Sequence, residues 1–167
     1  MIQQTLIIIK PDGVQRGLTD EIVKRYEAAG LKVVKKKEMM APLEIVEKHY
    51  PMDPDYLRSI GEKTIAAGQQ VDSAEDQGRK VVTWLRKFIT SGPIVAMVLE
   101  GEDAVKVARK TTGFTDPATA EKGTIRGDLG TDNILDANRE ERPVYNLIHA
   151  SGSEEEAKKE INLWFGE

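Results

Sequence analysis

The chain has 167 residues, with 24 lysines and arginines against 28 aspartates and glutamates, and no cysteine. That length suits one domain with a real core, and a net charge of −4 without a basic block excludes nucleic-acid binding as the main role, so no specific nucleic-acid partner is expected. Without cysteine there is no disulfide framework, thiol nucleophile or cysteine-based zinc site, and a cytoplasmic enzyme fits.

The N-terminal apolar run is stopped by Lys10 and Pro11 too early for a membrane span, and no basic region precedes it as in a signal peptide, so a soluble protein off the membrane is expected. Within that run Thr5-Leu6-Ile7-Ile8-Ile9 predicts a strand buried on both faces, ended by the turn residues Pro11-Asp12-Gly13. Thr19 suits an N-cap, Ile22, Val23, Tyr26 and Ala29 make a helical stripe, and Gly30 stops it before a second strand at 31–35. Leu43, Ile45, Val46, His49 and Tyr50 predict a short helix closed by Pro51. From 52 to 87 helical spacing recurs at Tyr56, Leu57 and Ile60 and again at Val81, Val82, Leu85 and Phe88, which reads as an insertion of helices.

After the turn Ser91-Gly92-Pro93, residues 94–99 are the second fully apolar run and a candidate central strand. Asp103 suits the cap of a helix that Gly113 ends, with Arg109 in its last turn; Thr115-Asp116-Pro117 predicts the capped start of another short helical turn. Little regular structure is expected between 120 and 143, where Arg139-Glu140-Glu141-Arg142 reads as a solvated loop. Residues 144–148 are expected as the fourth strand, and Ser153 with Glu156 fits a capping box ahead of a helix carrying Ala157, Ile161, Trp164 and Phe165. This order predicts an α/β (α+β) fold, a ferredoxin-like split βαβ sandwich whose four-stranded sheet is mainly antiparallel, with surrounding helices.

His149 stands between the fourth apolar run and the closing helix, near a helix N-terminus that suits phosphate. Alone, such a histidine is a packed or solvent-edge side chain as readily as a nucleophile. Its company is more informative. Lys10, Arg109, Thr115, Arg126, Asn146 and His149 each fall at an element end, and together they are the inventory needed to hold a triphosphate. Each also has a plain structural use: a lysine after a strand, an arginine at a helix C-terminus, a threonine cap, a glycine-bounded loop at 123–128. No Walker loop is present, since Gly61-Glu62-Lys63-Thr64 lacks the adjacent Gly-Lys, and Arg126-Gly127-Asp128 is too short to signify adhesion. An ordinary imidazole, with a pKa of about 6.5, is roughly three quarters neutral at pH 7 and needs no strong base to act as a nucleophile.

Four motifs in order, 9–18 (Ile-Lys-Pro-Asp-Gly-Val-Gln-Arg-Gly-Leu), Thr90-Ser91-Gly92-Pro93, Gly123-Thr124-Ile125-Arg126-Gly127-Asp128 and 146–153 (Asn-Leu-Ile-His-Ala-Ser-Gly-Ser), make the chain resemble the nucleoside diphosphate kinase family over nearly its whole length. The resemblance implies a ping-pong exchange in which His149 takes the γ-phosphoryl group of a nucleoside triphosphate such as ATP and passes it to a nucleoside diphosphate. Magnesium would bridge the nucleotide phosphates, with no protein ligand of its own. By the same resemblance Lys10, Tyr50, Arg109, Thr115, Arg126 and Asn146 contact nucleotide, Lys10 and Asn146 reaching the sugar as well. Tyr56 matches the ring that stacks on the base, and Ser151 and Glu160 match the pair that supports His149; Lys10, Ser151 and Glu160 join His149 in the expected catalytic set. A homo-oligomer built of dimers, tetrameric or hexameric, is likewise implied.

The chain departs from the family pattern at Ala150, where glycine is usual, and at Tyr145, where arginine is common. The expected organisation is one domain over 1–167 with a helical insertion at about 52–88 and a loop insertion at about 130–145. Two other classes compete: a catalytically reduced regulatory module that binds nucleotide on the same fold, and an unrelated ferredoxin-like domain for a small ligand or RNA.

Overall fold

The computed structural model describes residues 1–166. In chain order its elements are β1 (Ile2–Ile9), α1 (Pro11–Gln15), α2 (Thr19–Ala28), β2 (Lys32–Met39), α3 (Leu43–His49), α4 (Pro54–Ala66), α5 (Ala74–Ile89), β3 (Ile94–Glu102), α6 (Ala104–Thr112), α7 (Ile125–Leu129), α8 (Ile134–Arg139), β4 (Ile148–Ala150) and α9 (Glu154–Phe165). The strands lie in the order β2-β3-β1-β4 with every neighbouring pair antiparallel, as the expected ferredoxin-like α+β sandwich requires.

The two fully apolar runs became the two central strands because the sheet is covered on both sides. Ile7 and Ile9 of β1 and Val95, Met97 and Leu99 of β3 face one core with α2, α6 and α7, closed by Ile22, Tyr26, Ala108 and Ile125. The alternate residues Leu6, Ile8, Ile94 and Val98 face the other, under Val46, Leu57, Val82, Ile161 and Trp164 from α3, α4, α5 and α9. β2 is an edge strand, and its burial alternates: Lys32, Val34, Lys36 and Glu38 face water, while Val33, Lys35, Lys37 and Met39 are half-buried, as in a strand with one side in water.

Helices α4 and α5 meet at glycines. A β-carbon on Gly61 would lie 1.8 Å from the carbonyl oxygen of Ala74, and one on Gly78 would lie 1.7 Å from that of Leu57, so only glycine lets these backbones touch. The Asn138 side chain joins the bundle, donating to Thr64 Oγ1 on α4 and accepting from Gln77 Nε2 on α5. No helix among the described residues is long and apolar enough to cross a membrane.

Several local expectations are corrected. Pro11-Asp12-Gly13 opens the short helix α1 instead of making only a turn, because proline is tolerated in a first helical turn. Thr19 begins α2 without capping it, and Asp103 precedes α6 without a side-chain cap bond. The helix expected after Thr115 is absent: Asp116 Oδ1 accepts from Ala118 N, closing a side-chain turn, and also from Ile134 N at the start of α8. The stretch expected to be irregular holds α7 and α8, capped by Thr124 and Asn133. Arg142 is no solvated loop residue, being paired through both guanidinium ends with Asp132.

The fourth strand starts later than 144. Tyr145 N donates to the Asp132 carboxylate, Leu147 N donates to Asp12 Oδ2, and Leu147 takes a left-handed φ of 72°, so this segment cannot join the ladder. Pairing begins at Ile148 and includes Ala150, which lies opposite Ile7 in extended backbone. The left-handed residue of this segment is therefore Leu147, two places before His149, while Ala150 is extended and needs no glycine.

Candidate active site

Register places the histidine. His149 lies opposite Ile8 of β1, so its ring projects from the same sheet face, towards α3 and α9. Beyond it a small-residue turn starts α9. Ser153 Oγ accepts from Glu156 N, while the Glu156 carboxylate accepts from Gly152 N at 2.9 Å, a capping box whose return bond is displaced by one residue. The partner of His149 is not the helix N-terminus but Glu160, in the second turn of α9. Glu160 Oε1 lies 3.0 Å from His149 Nε2 and accepts the Ser151 hydroxyl at 2.6 Å. Ser151 is fully buried, and its oxygen accepts from Leu6 N, which pins the support to the central strand.

Burial would raise the Glu160 carboxyl, but the charge and hydrogen bond of His149, His49 and the Ser151 hydroxyl overcome it and hold it down to about 2. It is ionised throughout the neutral range. Behind His149 stands His49, the other histidine, with ring centres 4.4 Å apart and planes at 79°. Trp164 Nε1 donates to His49 Nδ1 at 3.0 Å, and because an indole only donates, the His49 proton resides on Nε2. Burial first, then the neighbouring His149 charge, pushes His49 down to about 3, so it stays neutral.

The cationic wall has two kinds of member. Lys10, just past β1, donates through Nζ to Asn146 Oδ1 at 3.0 Å; burial and the charge of Arg126 push its ammonium down to about 7 against the pull of Asp12. Arg126 is also buried, and its guanidinium donates to the carbonyls of Asn146, Gly113 and Ile148, clasping the approach to β4. Three of its five N–H groups are thereby used, leaving two. Arg109 is exposed, lines the cleft and makes no hydrogen bond or ion pair among the described residues. Asn146 also donates to the Thr115 carbonyl at 3.0 Å, which ties the Thr115 loop to the same corner.

These residues share one cleft of about 600 Å³. Lys10, Tyr50, Tyr56, Arg109, Thr115, Arg126, Asn146, His149 and Glu160 all line it, while Ser151 sits behind the wall. The nucleoside diphosphate kinase family model matches residues 3–56 and 69–167. The chain belongs to the nucleoside diphosphate kinase family.

A nucleoside diphosphate kinase from Pyrobaculum aerophilum is 45% identical over 176 residues, covering 99% of this chain and 96% of its own, and one from Staphylococcus aureus is 42% identical over 166 residues, covering 99% and 89%. The crystal structure of the Pyrobaculum aerophilum NDP kinase superposes with a TM-score of 0.92 at 43% identity, covering 99% of this chain and 96% of that one. A nucleoside-diphosphate kinase from Borrelia burgdorferi, solved as a transition-state mimic with bound vanadate and ADP, gives 0.80 at 35% identity, covering 98% and 87%.

Three side chains of the cleft escaped the sequence reading. His49 had a signal, as the only other histidine, next to Tyr50. Lys63 and Arg142 had none, because nothing local shows that α4 and the segment before β4 bring those cations to the cleft that His149 lines. Residues 57–68, which include Lys63, lie outside the family match.

Proposed function

We propose that this cleft exchanges phosphoryl groups between nucleotides through His149, a nucleoside triphosphate such as ATP being the donor and a nucleoside diphosphate the acceptor. The observation that carries this reading is the 3.0 Å contact of His149 Nε2 with an ionised Glu160 in a cleft lined by Lys10, Arg109 and Arg126. A carboxylate only accepts, so Nε2 holds the proton and Nδ1 keeps the lone pair. Nδ1 is the nucleophile. It attacks the γ-phosphorus; the N–P bond forms as the bond to the bridging oxygen breaks, and the electron pair leaves on the diphosphate. The ring becomes cationic, and Glu160, held by Ser151, balances that charge. A second diphosphate reverses the step and restores the neutral imidazole.

Lys10, Arg109 and Arg126 neutralise the phosphates, the Thr115 hydroxyl and Asn146 add polar contacts, with Lys10 and Asn146 also near the sugar, and Tyr50 and Tyr56 provide aromatic surface, Tyr56 for stacking on the base. Magnesium enters with the nucleotide. Among the described residues the one group close enough to share an ion is His49, His149 and Glu160, and two imidazoles with one carboxylate suit a transition metal better than magnesium, which takes six oxygens. In this reading the ion is held by the nucleotide phosphates and belongs to the substrate. The reading includes cytoplasmic placement and a homo-oligomer built of dimers, for which exposed Ile2, Met40, Leu43 and Phe114 offer apolar surface. It also treats the helices at 52–88 and the segment 130–145 as additions to a single domain.

The test is phosphoryl exchange between ATP and a panel of nucleoside diphosphates, with trapping of label from γ-labelled ATP on the protein. Wild type should take up label and exchange with all the common bases, and His149→Ala should do neither. Unlabelled wild type would leave only the nucleotide-binding module.

A further inference from the structure

The segment outside the family match brings a fourth cation to the phosphate wall. Lys63 projects from α4 into the cleft that Lys10, Arg109, Arg126 and His149 line. Its helix is held in place on both sides of it: Gly61 is in backbone contact with α5, and Thr64, the next residue, is fully packed and bonded to Asn138 of α8. Among the described residues Lys63 makes no ion pair or hydrogen bond; the carboxylate acting on its charge is Glu156, and it weighs less than Arg109 and Arg126. The side chain is exposed along the cleft, yet the surrounding protein first, and then the charges of Arg109 and Arg126, hold its ammonium below the usual lysine range. Lys63 also acts in turn on Lys10. The carboxylates of Asp12 and Glu156 offset this repulsion in part, and an anion of several charges lying between the four cations would relieve the rest.

We propose that Lys63 binds the polyphosphate of the nucleotide, beside Arg109, as a contact supplied by a segment that the family model does not match. The proposal rests on the exchange reading, because it takes the same cleft as the nucleotide site. The occupant must be the phosphate part: a lysine is a point charge with three donors, suited to phosphate oxygens and indifferent to the base.

The experiment measures equilibrium binding of ADP and of inorganic tripolyphosphate, and competitive inhibition of exchange by adenosine, for wild type, Lys63→Met, Lys63→Arg and Lys106→Met, the last an exposed lysine of α6 outside the cleft. Lys63→Met should weaken ADP and tripolyphosphate about tenfold or more, as loss of a charge-assisted contact does, and leave adenosine unchanged. Lys63→Arg should recover most of the loss, and Lys106→Met should match wild type. Lys63→Gln serves if the methionine variant fails to fold. Wild-type affinity for both phosphate ligands in the uncharged variants overturns the proposal, and so does an equal loss for adenosine, which would make Lys63 a structural residue only. Failure of wild type to take label on His149 overturns the exchange reading instead, and is read separately.

Discussion

The two walls of the cleft are built by different physics. The wall bearing His149 is pinned to the centre of the sheet: Ile8 sets the height of the ring, and Leu6 anchors Ser151, which with Glu160 fixes the ring's orientation. The wall bearing Tyr56 and Lys63 is a helical layer held by glycine contacts between α4 and α5 and by the Asn138 clip, with its cation in water. Under the proposed exchange, the group that must hold a reacting atom to a fraction of an ångström, His149, sits on the rigid wall, and Lys63, which need only meet a diffuse charge, sits on the other.

That contrast breaks most visibly at the arginines. Arg126 belongs to the rigid wall, where it clasps three carbonyls and faces the cleft, so Arg126→Ala should lower kcat/KM by about 10³ and also lower Tm. Arg109→Ala should cost activity on a comparable scale with Tm unchanged, since its guanidinium holds nothing else. Arg139→Ala, an exposed arginine paired among the described residues with Asp136, should leave both alone. Steady-state exchange and thermal unfolding of the three variants check this, and equal effects at all three would remove the distinction.

A smaller effect is expected in the helical wall. Gly78→Ala drives a β-carbon into the Leu57 carbonyl and must part α4 from α5, at a cost of about 1–3 kcal/mol, or about 3–10 °C in Tm. Below its melting point the variant should show a raised KM for nucleotide and an unchanged kcat, because the His149 wall does not depend on that contact. A fall in kcat with KM unchanged would show that the walls are coupled.

The smallest effect is one of pH. Lys10 in the free protein is pushed down to about 7, so its ammonium is present below that pH and lost above it. Phosphate binding favours the charged form, so kcat/KM should fall as pH rises through about 7, and nucleotide bound at pH 8 should draw in a proton, measurable by calorimetry in buffers of different ionisation heat. Lys10→Arg should abolish the uptake.

Much of this was legible without coordinates. The runs at Thr5–Ile9 and 94–99 could be buried only in a sheet covered on both faces, and the cations and histidine at element ends specified phosphate chemistry before their distances were known. What local pattern could not reveal is where backbone N–H groups find acceptors. Asp12 and Asp132 reach across the chain to Leu147 and Tyr145, and so delay β4.

By itself the sequence determined the order of the four strands and the two-sided sheet, and nominated candidate phosphate-site residues, because hydrophobic period and side-chain chemistry are local properties. Tertiary structure alone decided that Arg126 clasps three carbonyls while Arg109 has no partner among the described residues, and that Lys63 of α4 lines the same cleft. Those are facts of distance between segments far apart in the chain, and no local pattern carries them.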